Sequence, residues 1–158
     1  MNRRYTTEEF QNIVRILRKT YEDVNLTTDI IVRFPGETEE EFNKTYEFLK
    51  DINFYQMHIF KYSPRKGTKA ASMKEQIDGS IKEERSSKLI TLSNKNEIAH
   101  NKKEIGKELK VLWEEQDGAY IKGHTTNYKV VKMPYKPIEN TITKVKIERL
   151  ENLELIGK

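Results

Sequence analysis

No cysteine occurs anywhere in the 158 residues. That excludes disulfides, thiolate zinc sites and any iron–sulfur cluster held by the chain's own thiolates. Histidine is scarce too. His58, His100 and His124 are scattered, so no metal site built by this chain alone is expected. No hydrophobic run approaches the ~20 residues that span a membrane, and the start MNRRY lacks the apolar core of a signal peptide. Both absences point to a soluble cytoplasmic protein without a membrane partner. Hydrophobic residues make up only 35% of the chain, against 34% charged. That balance still suits one ordinary domain or two small ones, which have much surface for their volume. The net charge of +4 is compatible with RNA without demanding it. Internal repeats and low-complexity tracts are absent.

What is present begins with a capping box, Thr6-Thr7-Glu8-Glu9, flanked by Tyr5 and Phe10 at the staple positions. Phe10, Ile13, Val14, Leu17 and Tyr21 recur at helical spacing and predict a helix from about Thr7 to Glu22. The run Ile30, Ile31, Val32 and Phe34 predicts a strand over about Thr28 to Phe34, stopped by Pro35-Gly36. Its continuous apolar character suggests a parallel strand covered on both faces. Thr38-Glu39-Glu40-Glu41 is a second capping box, and its three acids suit the positive end of a helix dipole. That helix is expected to run to about Asp51, followed by a strand over Tyr55 to Tyr62. Strand, helix and strand form a βαβ crossover, so both strands end on one edge of the sheet. Gly79 reads as a breaker, and Ser80-Ile81-Lys82-Glu83 as a third capping box that opens a long polar helix to about Lys103. The apolar residues of that helix thin out after Leu92, so its far end is expected to be mobile or to lie against something outside the chain. Gly106 reads as its stop.

Composition changes after Gly106. Leu109, Val111 and Trp113 alternate with solvent-side residues, and Asp117-Gly118 signals a turn. Further strands are expected over Ala119 to His124, Tyr128 to Met133, Thr141 to Arg149 and about Leu153 to Ile156. About five short strands in so short a stretch predict a small antiparallel barrel. The domain boundary is expected at 104/105. Two parallel strands with three helices leave unpaired, apolar sheet edges, which offer a route to self-association.

Three groups of residues stand out as sites. Pro35, Gly36 and Glu37 lie where ligands bind open α/β sheets, and exposed N–H groups at a helix start can hold a carboxylate or a ribose oxygen. The alternative is a plain strand-to-helix turn with a capping acid. Ser63, Pro64 and Arg65 end the second strand on the same edge. The planar fork of Arg65 can meet a carboxylate or a phosphate, or simply sit in a polar turn. Residues 118–138 contain no acid and interleave Lys122, His124, Lys129, Lys132 and Lys136 with Tyr120, Tyr128 and Tyr135. Lysines neutralise phosphates, aromatic rings stack on unpaired bases, and Asn127 can bond a base edge or a sugar. The alternative is a solvated β-surface. Trp113 is expected in the barrel core, and His58 reads as a structural histidine.

MNRRYT, TDIIV with FPGET, and YSPR with Gly67-Thr68 and Ala70-Ala71 resemble the methylthiotransferases of the radical S-adenosylmethionine superfamily. The stretch from Ile105-Gly106-Lys107 to Gly157 is similar to the RNA-binding TRAM domain that ends those enzymes. Met57-His58-Ile59-Phe60 and Gly123-His124-Thr125-Thr126-Asn127-Tyr128 are most similar to the branch that methylthiolates N6-threonylcarbamoyladenosine at tRNA position 37. The isopentenyladenosine branch is the next candidate, and the ribosomal-protein methylthiotransferases are more distant. The resemblance implies the end of a TIM-like half-barrel over residues 1–104 and a TRAM barrel over 105–158. It implies S-adenosylmethionine and two [4Fe–4S] clusters for the full-length enzyme, and the anticodon stem–loop of tRNA as partner.

It also implies that Pro35, Gly36, Glu37, Ser63 and Arg65 border the S-adenosylmethionine pocket. Lys122, His124, Asn127, Tyr128, Lys129, Lys132 and Lys136 are implied to meet RNA. The cluster cysteines of the family lie in an N-terminal part that this sequence lacks, so no catalytic residue, no bound cofactor and no metal are expected from this chain alone. The family usually carries Gly where this chain has Arg33, which is expected to reach the cofactor edge or point outward. A stand-alone RNA-binding module and a non-functional truncation are the other readings.

Overall fold

The computed structural model of the chain describes residues 4–75 and 79–158. The motif residues 1–3 and the side chain of Ser80 at the expected third capping box lie outside the described residues. The chain divides into two compact units, Met1–Asn96 and Glu97–Lys158.

The first unit holds α1 (Thr7–Thr20), β1 (Thr27–Val32), α2 (Glu39–Ile52), β2 (Gln56–Lys61), a 3-10 turn at Lys69–Ser72, and most of α3 (Gly79–Lys102). The expected capping boxes at Thr6 and Thr38 form. Thr6 accepts from the N–H of Glu9 and Thr38 from that of Glu41, while each glutamate returns a bond to the cap backbone. Tyr5 packs on Phe10 with ring centroids 5.9 Å apart. β1 and β2 pair in parallel from Thr27↔Gln56 to Val32↔Lys61. Tyr62 N–H donates to Val32 O at 3.0 Å, so both strands end on one edge.

Coverage of this sheet differs from the expectation. One face carries Val32 and Met57, packed with Val14 of α1, Phe42 and Leu49 of α2, and Leu89 and Leu92 of α3. The other face is open, with Ile31 and Phe60 exposed and directly opposite each other. All the helices of the unit pack on one side, and the period-2 alternation of a strand turns Ile31 away from them.

In the second unit, β3 (Glu108–Asp117), β4 (Tyr120–Thr125), β5 (Val130–Pro134), β6 (Ile142–Glu151) and β7 (Glu154–Gly157) close a barrel in the order β3-β4-β5-β7-β6. Its core is Val111, Trp113, Ile121, Val131, Met133, Val145, Ile147 and Leu155. Trp113 is fully buried, and its indole N–H donates to Thr143 Oγ1 at 2.7 Å. The barrel is not wholly antiparallel, because β5 and β7 pair in parallel. A closed ring with an odd number of strands cannot alternate direction throughout, so one parallel pair is unavoidable.

The far end of α3 is also corrected. Instead of being loose, it is fixed to the barrel within the second unit by polar contacts. Asn101 is buried and donates to Leu153 O at 2.8 Å. Lys129 Nζ donates to His100 O at 3.2 Å. The helix ends at Lys102, close to the expected Lys103, and Gly106 takes φ +87° just before β3.

Candidate functional site

At the strand edge of the first unit, the turn after β1 is tightly bonded within itself. Gly36, at φ +83°, donates its N–H to Glu75 O at 3.1 Å, and Glu37 N–H donates to Phe34 O at 2.9 Å. The Glu37 carboxylate accepts from Arg33 N–H at 2.9 Å and from Arg85 at 2.7 Å. Arg85 is itself buried, bonds Glu39 with its other arm, and lies 5.0 Å from the centroid of Phe42. The donors and the acid expected to meet a ligand thus hold the turn together. Arg85 is not marked by the local sequence because it lies 48 positions from Glu37 along the chain.

The five residues expected around one pocket share an edge but divide between two recesses. Pro35, Gly36 and Glu37 line one of about 500 Å³. Ser63 and Arg65 line another of about 470 Å³ with Ile31 and Phe60. The Phe34 and Tyr62 rings meet edge-on at 5.6 Å, one ring from each recess. Among the described residues the buried Tyr62 hydroxyl has no hydrogen-bond partner. Arg33 does not point outward: it is 1% exposed, and its backbone takes φ +63°. That left-handed conformation is the one glycine adopts without cost.

On the barrel the expected RNA residues are placed differently from one another. Lys129 is turned inward, with its ammonium 2.6 Å from Glu104 and both side chains buried. Lys132 is held between Asp117 and Glu154, each at 2.7 Å. Those hydrogen bonds push its pKa above the ordinary lysine value and hold Asp117 below the ordinary aspartate value. The charge of Lys129 is thus matched by Glu104, and that of Lys132 by Asp117 and Glu154. Asn127 is part of the turn between β4 and β5, accepting from Thr125 Oγ1 at 2.6 Å. Lys122 is half-buried, and Lys136 is exposed in the loop after β5.

His124 and Tyr128 remain on the surface. Glu114 accepts from His124 Nδ1, and the His124 and Tyr128 rings lie 6.1 Å apart. Both line a groove of about 590 Å³ with Leu112, Ile142, Lys110 and Lys144. The sequence pointed to the first two; the other four lie on β3 and β6 and became visible only through strand register.

No family model matches the chain. A probable threonylcarbamoyladenosine tRNA methylthiotransferase of Methanocaldococcus jannaschii is 44% identical over the whole chain, covering 36% of that relative. The threonylcarbamoyladenosine tRNA methylthiotransferase MtaB of Bacillus subtilis is 38% identical over 92% of the chain and 33% of its own length. A tRNA-2-methylthio-N(6)-dimethylallyladenosine synthase of Ehrlichia ruminantium is 42% identical over 85% of the chain and 29% of its own length.

The chain is similar to one part of these tRNA methylthiotransferases.

It spans about a third of the length of these relatives. No described helix is long and apolar enough to cross a membrane. No group of three or more metal-ligating side chains is found among the described residues.

Proposed function

We propose that the segment is the tRNA-gripping end of a radical S-adenosylmethionine methylthiotransferase that adds a 2-methylthio group to N6-threonylcarbamoyladenosine at position 37. The observation that carries the substrate is the 44% identity, over every residue of the chain, to the probable threonylcarbamoyladenosine enzyme of Methanocaldococcus jannaschii. In this reading residues 1–104 are the end of a TIM-like half-barrel and form part of the active-site wall. Residues 105–158 are a TRAM barrel that binds the anticodon stem–loop. The parallel β1–β2 pair with its covering helices and the closed five-stranded barrel support that division. The surface groups proposed to meet RNA are Lys122, His124, Tyr128 and Lys136.

In the full-length enzyme S-adenosylmethionine and two [4Fe–4S] clusters supply the radical and the sulfur chemistry. The residues of this chain do not fit a cluster, because it has no cysteine. They fit S-adenosylmethionine only along one edge. The Gly36 and Glu37 N–H groups and the Glu37 carboxylate are already bonded within the chain. Ser63 and Arg65 are exposed in the second recess. No chemical step is therefore assigned to this chain.

Titration with an anticodon stem–loop at two salt concentrations tests the reading. Binding that weakens with salt, and weakens further on Lys122→Glu and Lys136→Glu, is expected. Absence of binding overturns it. Stem–loops bearing N6-threonylcarbamoyladenosine or N6-dimethylallyladenosine, compared side by side, separate the two named branches.

A further inference from the structure

The groove on the outer barrel surface is built from strand register. Leu112 of β3 lies opposite Ile142 of β6 on one side and His124 of β4 on the other. These three outward side chains form a row across three strands. Leu112 and Ile142 are exposed, so the floor is apolar and open to solvent. Single exposed apolar residues are ordinary, but a contiguous apolar floor inside a concave surface marks a binding site. The neighbouring row pairs Lys110 directly with Lys144. Like charges placed opposite each other across an antiparallel pair repel. Glu108 offsets Lys144 at 3.0 Å, while no ion pair involves Lys110 among the described residues.

Tyr128 stands at the side of this groove and is 82% exposed. Its backbone is held at φ +64°, a conformation that costs a non-glycine residue free energy. The turn around it is fixed from both sides. Tyr128 N–H donates to Thr125 O at 2.9 Å, and Thr125 and Lys129 exchange backbone and hydroxyl bonds. The buried Lys129–Glu104 pair anchors the next residue. The fixed turn thus sets an aromatic ring in water beside an apolar floor. Nothing in the fold itself requires that ring to be there. The His124 ring, held through Nδ1 by Glu114, leaves Nε2 for a hydrogen bond.

We propose that this groove binds one unpaired nucleobase of an RNA strand, stacked on Tyr128 and resting on Leu112 and Ile142, with its backbone phosphate between Lys110 and Lys144. The inference rests on reading the barrel as an RNA-binding module and names the place and the chemistry of the contact. An exposed ring, an apolar floor and a pair of lysines together match a base and its phosphate. A purely apolar partner would leave Lys110 without a counter-charge.

The test uses the whole chain, an anticodon stem–loop with 2-aminopurine in the loop, and a blunt RNA duplex. Tyr128→Ala is expected to weaken loop binding about tenfold and to abolish quenching of the aminopurine, while Tyr128→Phe retains both. Binding of the duplex is expected to be unchanged by either variant. Lys110→Gln and Lys144→Gln are each expected to lower the salt slope of loop binding by about one. Tyr128 is exposed, so these variants should melt with the wild type, which is checked alongside.

Undiminished loop binding and quenching in Tyr128→Ala overturns the groove assignment and leaves the RNA reading standing. Failure of the wild type to bind either RNA overturns both. If Ile142→Asp leaves RNA binding intact but abolishes self-association, the groove is a contact between copies and the assignment falls.

Discussion

Removing the ammonium of Lys129 would leave the Glu104 carboxylate buried with only the exposed Lys107 beside it. Breaking a buried pair from one side costs about 3–5 kcal/mol, and Lys107 keeps the expected loss near the lower figure. Lys129→Met should shift the urea midpoint accordingly, and adding Glu104→Leu should recover most of the loss. Burial works to raise the pKa of Glu104, but hydrogen bonds from Lys129 and Lys107 outweigh it and hold the group below its ordinary value of 4.5. The stabilisation is therefore complete above that value and is lost as pH falls through the lower, folded-state value. Melting measured from neutral pH down to about pH 3 should fall more steeply in the wild type than in Glu104→Gln.

Arg33 gives a different residue-level test. At φ +63° alanine is strained and glycine is not. Arg33→Gly should be more stable than Arg33→Ala by about 1 kcal/mol, measured by chemical denaturation, although alanine keeps more atoms in the site. A sequence reader can see that a lysine-rich strand pair is basic. Which lysines are spent on Glu104, Asp117 and Glu154 depends on partners 15 or more positions away along the chain.

At the level of elements, local chemistry was readable. The two described capping boxes set the starts of α1 and α2, and apolar spacing set their buried faces. The far end of α3 was not readable, because it is fixed by Asn101 and Lys129 rather than by an apolar stripe. The parallel β5–β7 pair was implicit in the strand count, since five strands cannot close by alternation alone. The close approach of β3 and β4 carried one signal, Gly123. A Cβ there would lie 2.1 Å from Leu112 O. Gly123→Ala should destabilise the barrel by about 3 kcal/mol, the upper part of the range for overpacking. Faster amide exchange in β3 and β4 would show it, and unchanged exchange would place the strands further apart.

For the whole molecule, the succession of an α/β segment and a barrel was legible from the change of pattern after Gly106, while the compact units divide between Asn96 and Glu97 rather than at 104/105. The open face of the β1–β2 sheet was not, because a continuous apolar run reads the same whether one face is covered or two. Ile31 and Phe60 give that face an exposed apolar pair on neighbouring strands. Sedimentation of the wild type is expected to show mass rising with concentration, and Phe60→Lys is expected to stay monomeric. A wild type of constant mass would remove this expectation.

Trp113 is the single tryptophan, and it lies at the centre of the barrel core. Its emission therefore reports the melting of the barrel alone. The helical signal in far-ultraviolet dichroism comes from α1, α2 and α3, most of which lie in the first unit. The chain thus carries two natural optical probes, one for each unit. Whether the units unfold together or in succession can be read from a single sample without a label.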